Sequence, residues 1–138
     1  MANAAARMFV AQLESENLNY KLMGDNDECV FASWRLDNTR IEIYFSFGDD
    51  CEDVHIEGRE FLKVPENKFE AMYKACSEMN RKYRWIKFDV NEKDGEIVAE
   101  CDAVIQLDSC AAEVYELMIR TTNIVDDVYP EFMKMMWS

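Results

Sequence analysis

The hydrophobic period of this chain switches from helical to two and back again, twice over. Ala6, Phe9, Val10, Leu13 and Asn17 recur at helical spacing behind a capping Asn3, which predicts an amphipathic helix over residues 3–18. Val30, Ala32, Trp34 and Leu36 then alternate with polar neighbours. After the turn Asp37-Asn38-Thr39, Ile41, Ile43, Phe45 and Phe47 do the same. A third alternating run over 54–58 loses its phase near Gly58, where the glycine predicts a bulge or bend. A shorter strand over 19–23 is expected ahead of these three.

Pro65 suits the first turn of a second helix, whose stripe is Phe69, Met72, Tyr73, Cys76, Met79, Asn80 and Tyr83. Ile86, Phe88 and Val90 alternate again, and Asp94-Gly95 turns the chain into Ile97, Ala99, Cys101 and Ala103, a hairpin signature. A last helix starts near Asp108 or Ser109 and presents Val114, Leu117, Met118, Thr121, Val125 and Val128. Pro130 is expected to kink or end it, leaving residues 131–137 as a Met-rich tail. The expected fold is therefore α+β: helix, three or four strands, helix, hairpin, helix, with a twisted antiparallel sheet covered on at least one face. No shift in composition divides the 138 residues, so one domain over 1–138 is expected.

Charge and cysteine usage narrow the setting. Fifteen basic side chains stand against 28 acidic ones, a net −13, which argues against nucleic acid because phosphate binding needs a basic footprint. No segment reaches the roughly 18–20 consecutive apolar residues of a membrane helix. The alanine-rich start is broken by Arg7, Gln12, Glu14 and Glu16, so it lacks the apolar stretch of a signal peptide. The five cysteines are odd in number, scattered and without a C-x-x-C pair, as expected of reduced thiols in the cytoplasm.

Catalytic equipment is hard to assemble from these residues. His55 is the only histidine, and its strand neighbours Glu57 and Arg59 share its phase, so it is expected to face solvent on the polar side of the sheet. The cysteines lack metal-ligand spacing. The acidic runs Asp25-Asn26-Asp27-Glu28 and Asp49-Asp50-Cys51-Glu52-Asp53 do not follow a calcium-loop pattern and read as turns, attracting a cation weakly at most if the two loops meet. Asp89 with Glu100 or Asp102 reads as outward-facing hairpin carboxylates. Arg81, Lys82, Arg84 and Lys87 suit the negative end of a helix. No catalytic, cofactor-binding or metal-ligating residue is expected.

The aromatics are more suggestive. Trp34, Tyr44, Tyr83, Trp85 and Trp137, with the tail methionines, exceed what the stripes require; either they complete the core or they form adaptable protein-binding surface. Trp85 is out of phase with Ile86, Phe88 and Val90 and is expected on the opposite sheet face.

Short motifs point to a family. Val64-Pro65-Glu66-Asn67-Lys68 opening a helix that closes on Met79-Asn80 resembles the central helix of the YbjN-domain family. The strand pair Ile86-Lys87-Phe88-Asp89 and Asp94-Gly95-Glu96-Ile97, the following Cys101-Asp102-Ala103, and a final helix with Tyr129-Pro130 near its close are similar to that family too. The resemblance implies a type III secretion chaperone-like fold in the order α-β-β-β-α-β-β-α. Its members are described as bacterial sensory-transduction regulators with no established activity or cofactor, and chaperones of this fold as acidic, commonly dimeric proteins that bind extended segments.

The expectation is thus a non-enzymatic cytoplasmic regulator or chaperone-like adaptor. It would bind a protein or peptide partner through Trp34, Tyr44, Trp85 and Trp137, with an acidic rim that selects basic partners. The alternative is a small-molecule-sensing domain with an apolar pocket. Homodimerisation has only an exposed edge strand and the precedent of the fold behind it.

Overall fold

The computed structural model describes residues 2–138. Helix α1 (Ala4–Ser15) is followed by strands β1 (Lys21–Met23), β2 (Cys29–Arg35), β3 (Arg40–Phe47) and β4 (Asp53–Arg59). A 3₁₀ turn (Glu66–Lys68) leads into α2 (Phe69–Lys82), then the hairpin β5 (Lys87–Asn91) and β6 (Glu96–Val104), then α3 (Cys110–Met136). The six strands form one antiparallel sheet in the order β1-β2-β3-β4-β6-β5. The α+β order expected from the periodicities holds, and the shorter strand expected over 19–23 is present as β1 at one edge.

Register explains the single core. Val30, Phe45, Ile56 and Cys101 stand opposite one another across four strands, and all are buried. Phe9 of α1 packs on Phe45 with ring centroids 4.6 Å apart. Helix residues Leu13, Met72, Met79, Val114, Val125 and Phe132 join the same apolar cluster, so the helices share one face of the sheet. The other face is left open.

Helix ends follow local chemistry. Asn3 caps α1 by accepting the Ala6 N–H at 3.0 Å and donates from Nδ2 to the Gly48 carbonyl, tying the helix to the β3–β4 loop. The helix stops at Ser15 rather than near 18 because Asn17 takes a left-handed φ of 59°, letting Leu18 N–H reach back to the Leu13 carbonyl. At the end of α2, the Asn80 amide donates to the Phe88 carbonyl and accepts its N–H, stitching helix to β5. Tyr73, assigned to the buried stripe by spacing, instead lies exposed with its hydroxyl on Glu92, while Ala75 is buried.

Two sequence expectations fail for physical reasons. Gly58 makes no bulge: it stands in register between Ile43 and Ala99, and a Cβ there would lie 3.0 Å from Ile41 Cδ1. The glycine makes room for a buried isoleucine. The strand phase is lost two residues later, where Glu60 adopts a φ of +63° and the chain leaves β4.

Pro130 neither ends nor truncates α3, and residues 131–136 continue the helix with Phe132 and Met136 buried. The missing proline N–H leaves the Asp126 carbonyl, four residues back, without its helical donor. Asn38 in the β2–β3 turn replaces it, donating from Nδ2 to that carbonyl at 3.0 Å and from its backbone N–H to Asp126 Oδ1 at 2.8 Å. Core burial on one side and this graft on the other hold the helix through the proline.

Candidate binding surfaces

Strand alternation sends every second side chain to the open face. One row across the sheet is Phe31, Tyr44, Glu57, Glu100 and Lys87; the next is Cys29, Ser46, His55 and Asp102. Phe31 and Tyr44 are half-buried, their rings 5.0 Å apart. Burial, followed by the nearby Glu42 charge, raises the Tyr44 hydroxyl above its ordinary pKa.

His55 faces this open side, as its phase implied, but it is not isolated. Its Nδ1 lies 2.7 Å from Asp102 Oδ1, and because a carboxylate only accepts, Nδ1 carries the proton. Its Nε2 stands 3.5 Å from Glu57 Oε1, and Glu57 Oε2 stands 3.5 Å from Arg59 Nη1. Partial burial works against the imidazolium, but the Asp102 bond and the Glu57 and Glu100 carboxylates outweigh it and raise the His55 pKa. Donor atoms of His55, Glu57 and Glu100 lie within 4.8 Å of one another, a geometry that could hold a metal ion.

Beside them Arg59 also donates to Glu96, at 2.9 Å, and to Asp94. The Glu96 bond leads in raising the Arg59 pKa. Glu96 is fully buried, and its second oxygen accepts the Glu60 N–H at 2.9 Å, so the buried charge is paired.

The four aromatics singled out by sequence do not share one surface. Trp34 sits on the covered face in phase with Val30 and Ala32, half-buried against the core. Tyr44 is on the open face. Trp137, 59% exposed, closes α3 with Lys68 Nζ 5.4 Å from its ring centroid. Trp85 is 54% exposed, and its φ of +80° breaks the strand alternation. Its ring lies not on the far sheet face but beside α3, with Arg120 Cζ 5.1 Å from the centroid. Along α3, residues 120 and 137 are about 25 Å apart at 1.5 Å per residue, so the two exposed tryptophans mark separate places.

Around Trp85 the surface exposes apolar side chains. An open groove of about 450 Å³ runs between β6 and α3, lined by Trp85, Ala103, Val104 and Leu117 and edged by Asp102, Glu113 and the Glu116–Arg120 ion pair. Val104 is 83% exposed. Pairing of β5 with β6 covers only Glu96 to Glu100, so residues 101–104 have a strand neighbour on the β4 side alone. Sequence reading missed Val104 and Phe31, although both are apolar residues in the polar phase of their strands. That phase error was the available signal.

Other candidates resolve into structure. Lys87 Nζ donates to the Asn80 and Tyr83 carbonyls at 2.9 and 3.0 Å, capping α2, and Lys82 pairs with Glu131. The two acidic loops meet through Asn3, which bonds to Asn26 and Gly48, but among the described residues their carboxylates form no three-ligand cluster. Cys76 is buried, which pushes its thiol up to about 12. Among the described residues no helix is long and apolar enough to cross a membrane.

Comparison with known proteins agrees with this architecture. No curated protein matches the chain. The crystal structure of YbjN from E. coli superposes with a TM-score of 0.62 at 8% identity, covering 91% of each chain. ExsC in the ExsC–ExsE complex superposes with a TM-score of 0.53 at 15% identity, covering 87% of this chain and 91% of that one. Identities this low show the fold alone, which is the type III secretion chaperone-like one. The sequence profile of the YbjN family, described as "Putative bacterial sensory transduction regulator", matches residues 7–132, and the chain therefore belongs to that family.

Proposed function

We propose that this protein is a non-enzymatic regulator that acts by binding an extended segment of a protein partner in the groove between β6 and α3. The observation that carries the reading is the conjunction there of an exposed tryptophan, an exposed Val104 and an unflanked stretch of strand. A segment entering alongside residues 101–104 would gain main-chain hydrogen bonds, bury an apolar anchor against Trp85 and Leu117, and set a basic residue against Glu113. Docking of this kind is supported, at the level of fold, by a neighbour solved in complex with a protein. Five unpaired cysteines suit a reducing, cytoplasmic setting for such an encounter. The rival small-molecule reading has less behind it, since the grooves beside Trp85 and Trp137 both open to solvent.

Capture from bacterial lysate with the wild-type chain and with Trp85→Ala tests the proposal. The expected result is a partner retained by the wild type and lost by the variant, with the variant's melting temperature unchanged. Identical capture by both, or a variant that unfolds because Trp85 supports the core, would overturn the assignment.

A further inference from the structure

The open face carries a second feature that peptide docking does not use. His55 and Asp102 are directly opposed across β4 and β6, and so, one row on, are Glu57 and Glu100. Placing two like charges directly across a strand pair is ordinarily destabilising. The neighbour that would relieve it, Lys87 opposite Glu100 on β5, sends its ammonium to the Asn80 and Tyr83 carbonyls instead. Among the described residues Glu100 has no ion-pair partner.

The histidine is oriented rather than merely present. Asp102 holds Nδ1–H, which fixes the tautomer and turns the Nε2 lone pair toward Glu57 and Glu100. Carboxylate, imidazole and open nitrogen in that order is the arrangement that supports metal-bound histidines. Glu57 is steered in the same way: Arg59 stands by Oε2, and Oε1 faces the imidazole. With the imidazole neutral, Nε2 and the two carboxylates are three ligand atoms that converge; with it protonated, the same Nε2–H points at Glu57 Oε1. The 3.5 Å from Nε2 to Glu57 Oε1 is long for a hydrogen bond. It is close to the separation of about 3.3 Å between two ligands held 2.0–2.1 Å from a tetrahedral zinc ion.

We infer that His55, Glu57 and Glu100 bind one divalent transition-metal ion on the open face of the sheet, with Asp102 as the residue that positions the imidazole. One nitrogen and two carboxylate oxygens favour an ion of the zinc or cobalt class over calcium, which takes six to eight oxygens. Three protein ligands leave at least one position for water.

Titration of the intact, reduced chain with zinc alone, followed by calorimetry, and with cobalt(II) alone, followed by absorption, tests this site. The expected result is one ion per chain and a cobalt spectrum without the intense near-ultraviolet bands of thiolate ligation. His55→Ala should abolish binding. Asp102→Asn should weaken it about 10- to 100-fold, the range seen when a ligand's supporting partner is lost, and Glu100→Gln, which removes a ligand, at least as much. Glu100 and Asp102 are exposed and His55 is half-buried, so the variants should fold, and Glu100→Gln, which removes the like-charge pair, should not lower the melting temperature without metal; should His55→Ala fail to fold, Glu100→Gln decides. Binding that survives these substitutions, thiolate bands in the cobalt spectrum, or no saturable binding below millimolar zinc would each overturn the inference.

Discussion

Asn38→Ala isolates how the long C-terminal helix tolerates Pro130. The Asn38 amide donates at 3.0 Å to the Asp126 carbonyl, which the proline cannot serve. A hydrogen bond contributes about 0.5–1.5 kcal/mol net, and this one is exposed to competing water, so its loss should cost about 0.5–1 kcal/mol. The backbone N–H of residue 38 still reaches Asp126 Oδ1 in the variant, which confines the damage to one bond. Losing asparagine also weakens the turn itself, so the single variant is ambiguous. A double-mutant cycle with Pro130→Ala removes that ambiguity. Alanine restores the helical donor and should stabilise the protein by about 1–3 kcal/mol. With the carbonyl satisfied inside the helix, Asn38→Ala should cost about 0.5 kcal/mol less than it does beside proline. Urea unfolding followed by far-ultraviolet circular dichroism reads both backgrounds from their midpoints at constant m. Equal losses in the two backgrounds, or a destabilising Pro130→Ala, would refute the graft.

Arg59→Ala should cost about 2–4 kcal/mol, because it leaves the fully buried Glu96 without its cation; an unfolding midpoint within 0.5 kcal/mol (about the error of the method) would show the carboxylate to be otherwise satisfied. Gly58→Ala should destabilise by about 1–2 kcal/mol through the Ile41 contact, and Ile41→Val in the same chain should recover part of that loss; a neutral Gly58→Ala would remove the steric account. At pH 8 the native protein should yield only Cys29 and Cys51, slowly, to a thiol reagent, with all five cysteines reacting once unfolded. Rapid native labelling of Cys76, whose thiol burial pushes up to about 12, would contradict the packing of α2 on the sheet.

What could be read from sequence divides along a physical line. Periodicity reports which way a side chain points relative to its own element, so the buried rows through Val30, Phe45 and Ile56 were legible, as was the solvent phase of His55. Positive φ angles at non-glycine residues were not: Asn17 shortens α1, Glu60 ends β4 and Trp85 swings beside α3. Pro130 misled for a related reason, since its compensating donor, Asn38, is 92 residues away in sequence and is placed by the β2–β3 turn. The cluster around His55 was hidden in the same manner. Glu100 and Asp102 reach it only because β6, not a sequential neighbour, pairs with β4.

Hydrogen–deuterium exchange on the chain with and without its captured partner probes the docking surface most directly. The account predicts slowed exchange of the amides over residues 101–104 and of the α3 flank around Leu117, with the covered core unchanged. Protection confined to the Phe31–Tyr44 side of the sheet or to the Trp137 end of α3, with the β6–α3 groove exchanging as in the free protein, would contradict it.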